Sequence, residues 1–215
     1  MPTTPTTRDG RLIRGARTRA AVLDAAVSLA TVHGLDGLSL ARLADTLGVS
    51  KSGLFAHWRS KEELQLAAVE RAREQVIEQV VRPALHAPRG VRRLWALHDN
   101  RMRFYAEGVL PGGCFFAGAA FEFDVRPGAV RDRLAAVLDE WIGLLRGLAQ
   151  QAIDVGDLRP DTDPEQLAFE IDALGLAVIH HDRLRSDPTS YTRARAAVRE
   201  RLRAACTDPG LLPEA

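Results

Sequence analysis

SLARLADTLGVSKSGLFAHWRSKEEL, residues 39–64, decides the fold of this chain. Its apolar residues recur at three- and four-residue spacing, the period of a helix. Ser39 can cap a helix over residues 40–47, and Gly48 breaks that helix after two turns. Ser50 then opens a third short helix through about His57. Ser60 and Glu63 form a capping box, in which the Ser60 hydroxyl accepts from the third helical amide and Glu63 reaches back to the Ser60 amide. They start a fourth helix that runs to near Val81, where Pro83 discourages continuation. Two-turn helices are unstable alone. These two must pack on a helix before them, and the three together make a helix-turn-helix unit, whose second paired helix enters the major groove of DNA. Ser50, Lys51, Ser52 and Gly53 give that helix a small, polar, cationic start that can approach base edges.

The supporting helix lies upstream, from about Gly15. Ala21, Val22, Ala25, Leu29 and Val32 form its inner stripe, and Gly34 suits the left-handed residue that ends it. Residues 1–14 read as a disordered basic tail, residues 15–60 as the helix-turn-helix domain and residues 61–215 as a larger helical body. In the body, periodic segments fall at about residues 91–107, 114–123, 129–153, 163–184 and 188–205. Asp163 as cap and Pro164 at the first position open the fourth of these. No stretch alternates with period two. The expectation is an all-α chain of about nine helices.

Composition narrows the function. Hydrophobic residues make up 46% of the 215, enough for a full core. Two cysteines, Cys114 and Cys206, are too few for a disulfide framework or a structural zinc site, which suits a reducing cytoplasm. The longest uncharged run, residues 108–121, is broken by Pro111, Gly112, Gly113 and Gly118 and is too short to span a membrane. Net charge is +1, but residues 1–61 hold nine basic groups against four acidic ones, leaving 20 and 24 for the rest. A basic head on a mildly acidic body fits a phosphate-binding module, although chance clustering at a solvated terminus gives the same count. The two lysines among 29 basic residues, Lys51 and Lys61, flank the third helix. Lys61 sits in a first turn, where a cation opposes the helix dipole; either a phosphate between it and that helix end accounts for it, or it is an ordinary surface lysine.

Residues 17–69 resemble the DNA-binding domain of the TetR family. The match rests on Ala25-Ala26, Gly34, Ser39-Leu40, Leu43-Ala44, Gly48-Val49-Ser50, Leu54-Phe55, His57-Trp58 and Ser60-Lys61-Glu62-Glu63-Leu64. The resemblance implies phosphate contacts from Ser39, Phe55, His57 and Lys61, and base contacts from Ser50, Lys51, Ser52 and Gly53. Phe55 replaces the family's usual tyrosine and so brings no hydroxyl. Trp58 replaces a phenylalanine and is expected in the core. The basic stretch Arg8 to Arg19 reaches DNA or is only a solvated arm.

Two features organise the body. The segment at residues 163–184 is apolar nearly all round, so it is buried on two sides. Its stripe Leu167, Ile171, Leu174 and Val178, with Tyr191, Ala194, Val198 and Leu202 of the last helix, is the expected interface of a homodimer. The resemblance implies a four-helix bundle that sets two heads on a pseudo-palindromic operator. A buried hairpin in a monomer would leave the same pattern. Trp95, His98, Arg101, Phe104, Tyr105, Cys114, Phe115, Phe121 and Trp141 are candidate ligand-binding residues, each also suited to plain core. Cys114 is either a buried thiol or, if partly exposed, a redox or electrophile sensor. The adjacent His180-His181-Asp182 point about 100° apart on a helix and form no single metal site. No cofactor, metal or catalytic constellation is expected. The reading is a cytoplasmic, ligand-relieved repressor, with an activator or a ligand-independent architectural protein as alternatives.

Overall fold

The computed structural model describes residues 7–55 and 57–213, with side chains except those of residues 7–18, Gly53 and Phe55. The described residues are all-α, and their one β feature is an isolated antiparallel bridge between Leu158 and Cys206. The head comprises α1 (Thr7–His33), α2 (Leu40–Leu47) and α3 (Lys51–Phe55). A long rod follows: α4 (Lys61–Val76), a π-helical segment (Ile77–Val81) and α5 (Arg82–Leu85). The body continues with α6 (Val91–Ala106), α7 (Phe115–Phe123), α8 (Ala129–Asp154), α9 (Pro164–Arg185) and α10 (Thr189–Ala205). Each expected helix has a counterpart.

The caps follow the sequence closely. Ser39 Oγ accepts from Arg42 N at 3.2 Å, and Gly48 ends α2 at φ 63°. Asp163 Oδ1 accepts from Glu165 N and Gln166 N at 2.9 and 3.2 Å. Ser60 Oγ accepts from Glu63 N at 3.0 Å, but Glu63 accepts from Arg59 N at 2.7 Å rather than from the Ser60 amide.

Two boundaries differ. α1 starts at Thr7 instead of near Gly15. The intervening Arg8, Arg11, Leu12 and Arg14 are good helix formers, and residues 7–14 contain no proline to stop them. The fourth helix continues through Pro83 because its register changes first. Arg82 N bonds to Ile77 O, five residues back, which relieves the usual conflict between a proline ring and the preceding turn. Asn100 Nδ2 of α6 donates to Val80 O at 3.2 Å in that segment.

One continuous core runs from head to body, through Leu43, Leu54, Trp58, Leu64, Val69, Leu94, Leu145 and Leu167. α4 is clipped on both sides. Toward the head, Arg71 Nε lies 2.6 Å from Asp24 Oδ1 of α1, and Gln75 Nε2 donates to the same oxygen at 2.7 Å. Toward the body, Arg73 pairs with Glu140 of α8 at 2.5 Å and Glu70 with Arg133.

Candidate functional site

The head presents one polar face. Leu54 and Trp58 are buried in the core, as expected for Trp58, and the Arg19 guanidinium of α1 lies 5.6 Å from the Trp58 ring centre. α3 therefore turns Ser50, Lys51 and Ser52 outward, and all three are exposed, as are His57 and Lys61. Ser39 is half-buried beside them as the α2 cap. The Gly53 and Phe55 side-chain positions and the basic arm up to Thr18 lie outside the described side chains. Lys61 has an internal partner: its Nζ is 2.8 Å from Asp36 Oδ1. That pair gives the first-turn cation a reason to exist without any phosphate.

Asp36 belongs to the α1–α2 turn, which four side chains grip. Gln65 Nε2 of α4 donates to Leu35 O at 2.9 Å. Glu122 of α7 accepts from Leu35 N at 3.1 Å and from Asp36 N at 2.8 Å. Arg126 pairs with Asp36 at 3.0 Å. Hydrogen bonds from Lys61 and Arg126 hold the Asp36 carboxyl below the usual carboxylate range. The α6–α7 loop adds a fifth tie, Gly112 N to Thr31 Oγ1 at 3.0 Å. A Cβ on Gly112 would fall 1.8 Å from Thr31 O, so the loop can sit there only with glycine.

Inside the body, a cavity of about 780 Å³ lies between α4, the π segment, α6, α7, α8 and α9. Val76, Ile77, Val80 and Val81 form one wall, and Phe104, Phe115, Phe116, Phe123 and Leu134 line others. Its polar end is a network. Arg101 Nη1 lies 2.9 Å from Asp172 Oδ1, and Trp141 Nε1 donates to the same oxygen at 2.9 Å. Arg101 Nε donates to the Tyr105 hydroxyl at 3.0 Å, which donates to Cys114 Sγ at 3.3 Å. Burial opposes the Arg101 charge, but Tyr105 and Asp172 outweigh it and raise its pKa above the usual guanidinium value. Burial raises the Tyr105 phenol, so it stays a neutral donor. Gly175 of α9 lies beneath the guanidinium, where a Cβ would be 2.5 Å from Arg101 Nη1.

The cavity gathers Arg101, Phe104, Tyr105, Cys114, Phe115 and Trp141 from the expected ligand set. It does not include Trp95, His98 or Phe121. Trp95 and His98 sit together with ring centroids 6.1 Å apart, and His98 is 1% exposed. Phe121 is 60% exposed, and its ring meets His180 edge-on at 5.5 Å. Helical period told which face of α6 or α7 is apolar but not which neighbour covers it. Cys114 is buried at the N-cap of α7, where its Sγ accepts from Ala117 N at 3.4 Å.

The stripe expected at the dimer interface is turned largely into the protomer itself. Leu167, Ile171, Val178, Ala194, Val198 and Leu202 are buried within the protomer, and Leu174 is half-buried. Tyr191 donates to Asp182 Oδ2 at 2.7 Å within the α9–α10 hairpin. The free stripe of α9 is the opposite one. Phe169 (66% exposed), Ala173, Ala177, His180 and Leu184 (81% exposed) align along it at helical spacing. Among the described residues no group of His, Cys, Asp and Glu is arranged to hold a metal, and no helix is long and apolar enough to cross a membrane.

Asp172, Gly175 and Glu122 escape sequence reasoning. Asp172 borders the uncharged stretch 173–179 and follows Glu170 by two residues, so the pattern does not single it out.

A helix-turn-helix head joined by one rod to a helical body around an apolar cavity is the architecture of a DNA-binding regulator. Residues 22–68 match the model of bacterial regulatory proteins of the tetR family, and residues 90–198 match that of the tetracyclin repressor-like C-terminal domain. A TetR transcriptional regulator from Chloroflexus aurantiacus is 32% identical, with 86% of this chain and 93% of that one covered at a TM-score of 0.78. AibR, solved with isovaleryl coenzyme A and operator DNA, is 24% identical over 74% of this chain and 84% of that one, at a TM-score of 0.61. KstR2, a ketosteroid transcriptional regulator of Mycobacterium tuberculosis, is 16% identical over 89% and 96%, at 0.64. No curated protein matches this chain. The chain belongs to the TetR family of transcriptional regulators.

Proposed function

We propose that the chain is an operator-binding repressor that a small, largely apolar ligand releases from DNA. The observation that carries this is the α4 rod. One end is clipped to α1 through Asp24, Arg71 and Gln75, and its continuation, Val76 to Val81, is a wall of the cavity. A ligand that displaces that wall moves the head. It shifts the population only in proportion to its preference for the non-binding shape. AibR and KstR2 support control by a small molecule, one through its bound ligand and operator and the other through its ketosteroid description.

In this reading Ser50, Lys51, Ser52 and Gly53 face base edges, and Ser39, Phe55, His57 and Lys61 face phosphates. Two copies paired along α9 place two α3 helices about 34–36 Å apart on one side of a pseudo-palindrome. In that role the protein works in the cytoplasm beside the chromosome and needs no catalytic group. The test is selection of a binding site from random duplexes, followed by gel shifts against a metabolite panel. Lys51→Ala should weaken the selected site by about 1–3 kcal/mol and relax its sequence preference. A chain that selects no site at low salt, or whose complex no metabolite dissociates, removes the reading.

A further inference from the structure

The charges in the cavity decide what it can accept. Arg73, Arg101 and Arg131 line it, and so do Asp124, Glu140 and Asp172, so the lining sums to zero. The two enclosed pairs are matched locally: Arg73 is bound to Glu140 at 2.5 Å and Arg101 to Asp172 at 2.9 Å, while Arg131 pairs with Asp132 at 3.5 Å and donates to the backbone carbonyl of Asp124 at 3.2 Å. The deepest pair is the most enclosed, with the Arg101 side chain 9% exposed and its guanidinium carbon 5.0 Å from the Trp141 ring centre. Gly175 keeps that position open.

A ligand anion placed here would meet Arg101 together with a carboxylate already satisfied by it, and it would leave its own hydration behind. Like charge at that range and desolvation both oppose entry. A cation would meet the same obstacle at Arg101. A hydroxyl meets neither. Both protein donors to Asp172 reach Oδ1, so a ligand hydroxyl can donate to the carboxylate while its oxygen accepts from the guanidinium. The remaining walls are mainly aromatic and aliphatic, and the volume of about 780 Å³ suits a ring system of drug-like size.

We propose that this site takes an uncharged, ring-containing molecule bearing one hydroxyl, held at Arg101 and Asp172, and that it excludes carboxylates. This rests on the cavity being the effector site. Four probes of one skeleton test it by calorimetric titration of the full-length protein near neutral pH: 4-hydroxybiphenyl, biphenyl, biphenyl-4-carboxylate and 4-(aminomethyl)biphenyl. The hydroxyl probe should bind about tenfold or more tighter than either charged probe, and tighter than biphenyl. Asp172→Asn leaves the Arg101 charge unmatched in nearly the same volume. That variant should gain about tenfold or more for the carboxylate and lose affinity for the hydroxyl probe. Equal binding of hydroxyl and carboxylate probes by the parent protein overturns the proposal without reference to any variant. So does absence of hydroxyl-probe binding up to about 1 mM, or an Asp172→Asn protein that melts cooperatively and keeps the parent order. Gel shifts separate the two readings: a hydroxyl probe that binds in the stated order yet never dissociates the operator complex sinks ligand-relieved repression alone, whereas dissociation by the carboxylate sinks this proposal alone.

Discussion

The Glu122 carboxylate, at the end of α7, receives the backbone amide of Asp36 at 2.8 Å and that of Leu35 at 3.1 Å. These amides belong to the turn that orients α2 and α3, while Phe115, Phe116 and Phe123 on the same short helix line the cavity. The body thus holds the head through α7 as well as through α4. Gly34 makes the approach possible, since a Cβ there would fall 2.4 Å from Glu122 Oε1. Glu122→Ala should release both amides, and amide exchange at Leu35 and Asp36 should accelerate while that in α8 does not. The lost charge-assisted bonds are partly exposed, so the stability cost should stay near about 1–2 kcal/mol. Unchanged exchange at both amides would show that the turn holds itself.

Lys61 is bound to Asp36, and both side chains are about half exposed, at 48% and 50%. Exposed pairs of this kind are worth little, so a phosphate can compete for the lysine. Asp36→Asn frees Lys61 and should tighten operator binding several-fold. Lys61→Ala should weaken it and reduce the slope of log affinity against log salt by about 1. If Asp36→Asn leaves affinity unaltered and Lys61→Ala leaves the salt slope unaltered, Lys61 is a structural residue of the turn.

The outward stripe of α9 is the surface to which the proposed pairing of two copies is assigned. Phe169 and Leu184 are large apolar side chains left in solvent, and Phe121 against His180 widens the patch at one end. Such a patch marks an interface. Phe169→Glu together with Leu184→Glu should raise the dimer dissociation constant about 100-fold, read by light scattering on a size-exclusion column. Operator affinity should fall with it, because single heads lose the second half-site. A double variant that remains dimeric at micromolar concentration would place the interface on another surface.

What the sequence made legible was local. Ser39, Gly48 and Asp163 act on amides within a few residues, so spacing alone placed them. The polar start of α3 was legible for the same reason, since Leu54 and Trp58 fix which side faces inward. The misplaced sites depend on distant partners. Arg101 is a candidate ligand-binding residue from the sequence, but Asp172 lies 71 residues away and no periodicity connects them. α9 has two apolar stripes, and its pattern does not say which one meets its own protomer. Burial of Leu167, Ile171 and Val178 shows that the inner stripe meets its own protomer. The π segment is likewise a compromise between Pro83 and α6 packing that shows in neither residue alone.

His98 gives the fold an acid limit. It is 1% exposed on α6, and its ring nitrogens make at most a weak contact with the Ala194 backbone of α10, which burial outweighs. Burial pushes its pKa down to about 3 from 6.5, with the Arg101 and Arg195 charges acting in the same direction. The nearby Asp99 carboxylate is occupied by Arg103 at 2.7 Å and by Arg195 of α10. The unfolded chain therefore takes up a proton below pH 6.5 while the folded chain refuses it until about pH 3. Stability conferred by the neutral ring is whole above the upper value and falls as pH drops through that window, with a slope approaching about 1.4 kcal/mol per pH unit. Carboxylates titrate in the same range, so the informative quantity is a difference. Urea unfolding of the parent protein and of His98→Leu should give profiles whose difference changes between about pH 3 and pH 6.5 and is constant above about pH 7, with the variant flatter inside the window. Parallel profiles throughout would mean that the folded protein protonates His98 as readily as the unfolded chain does.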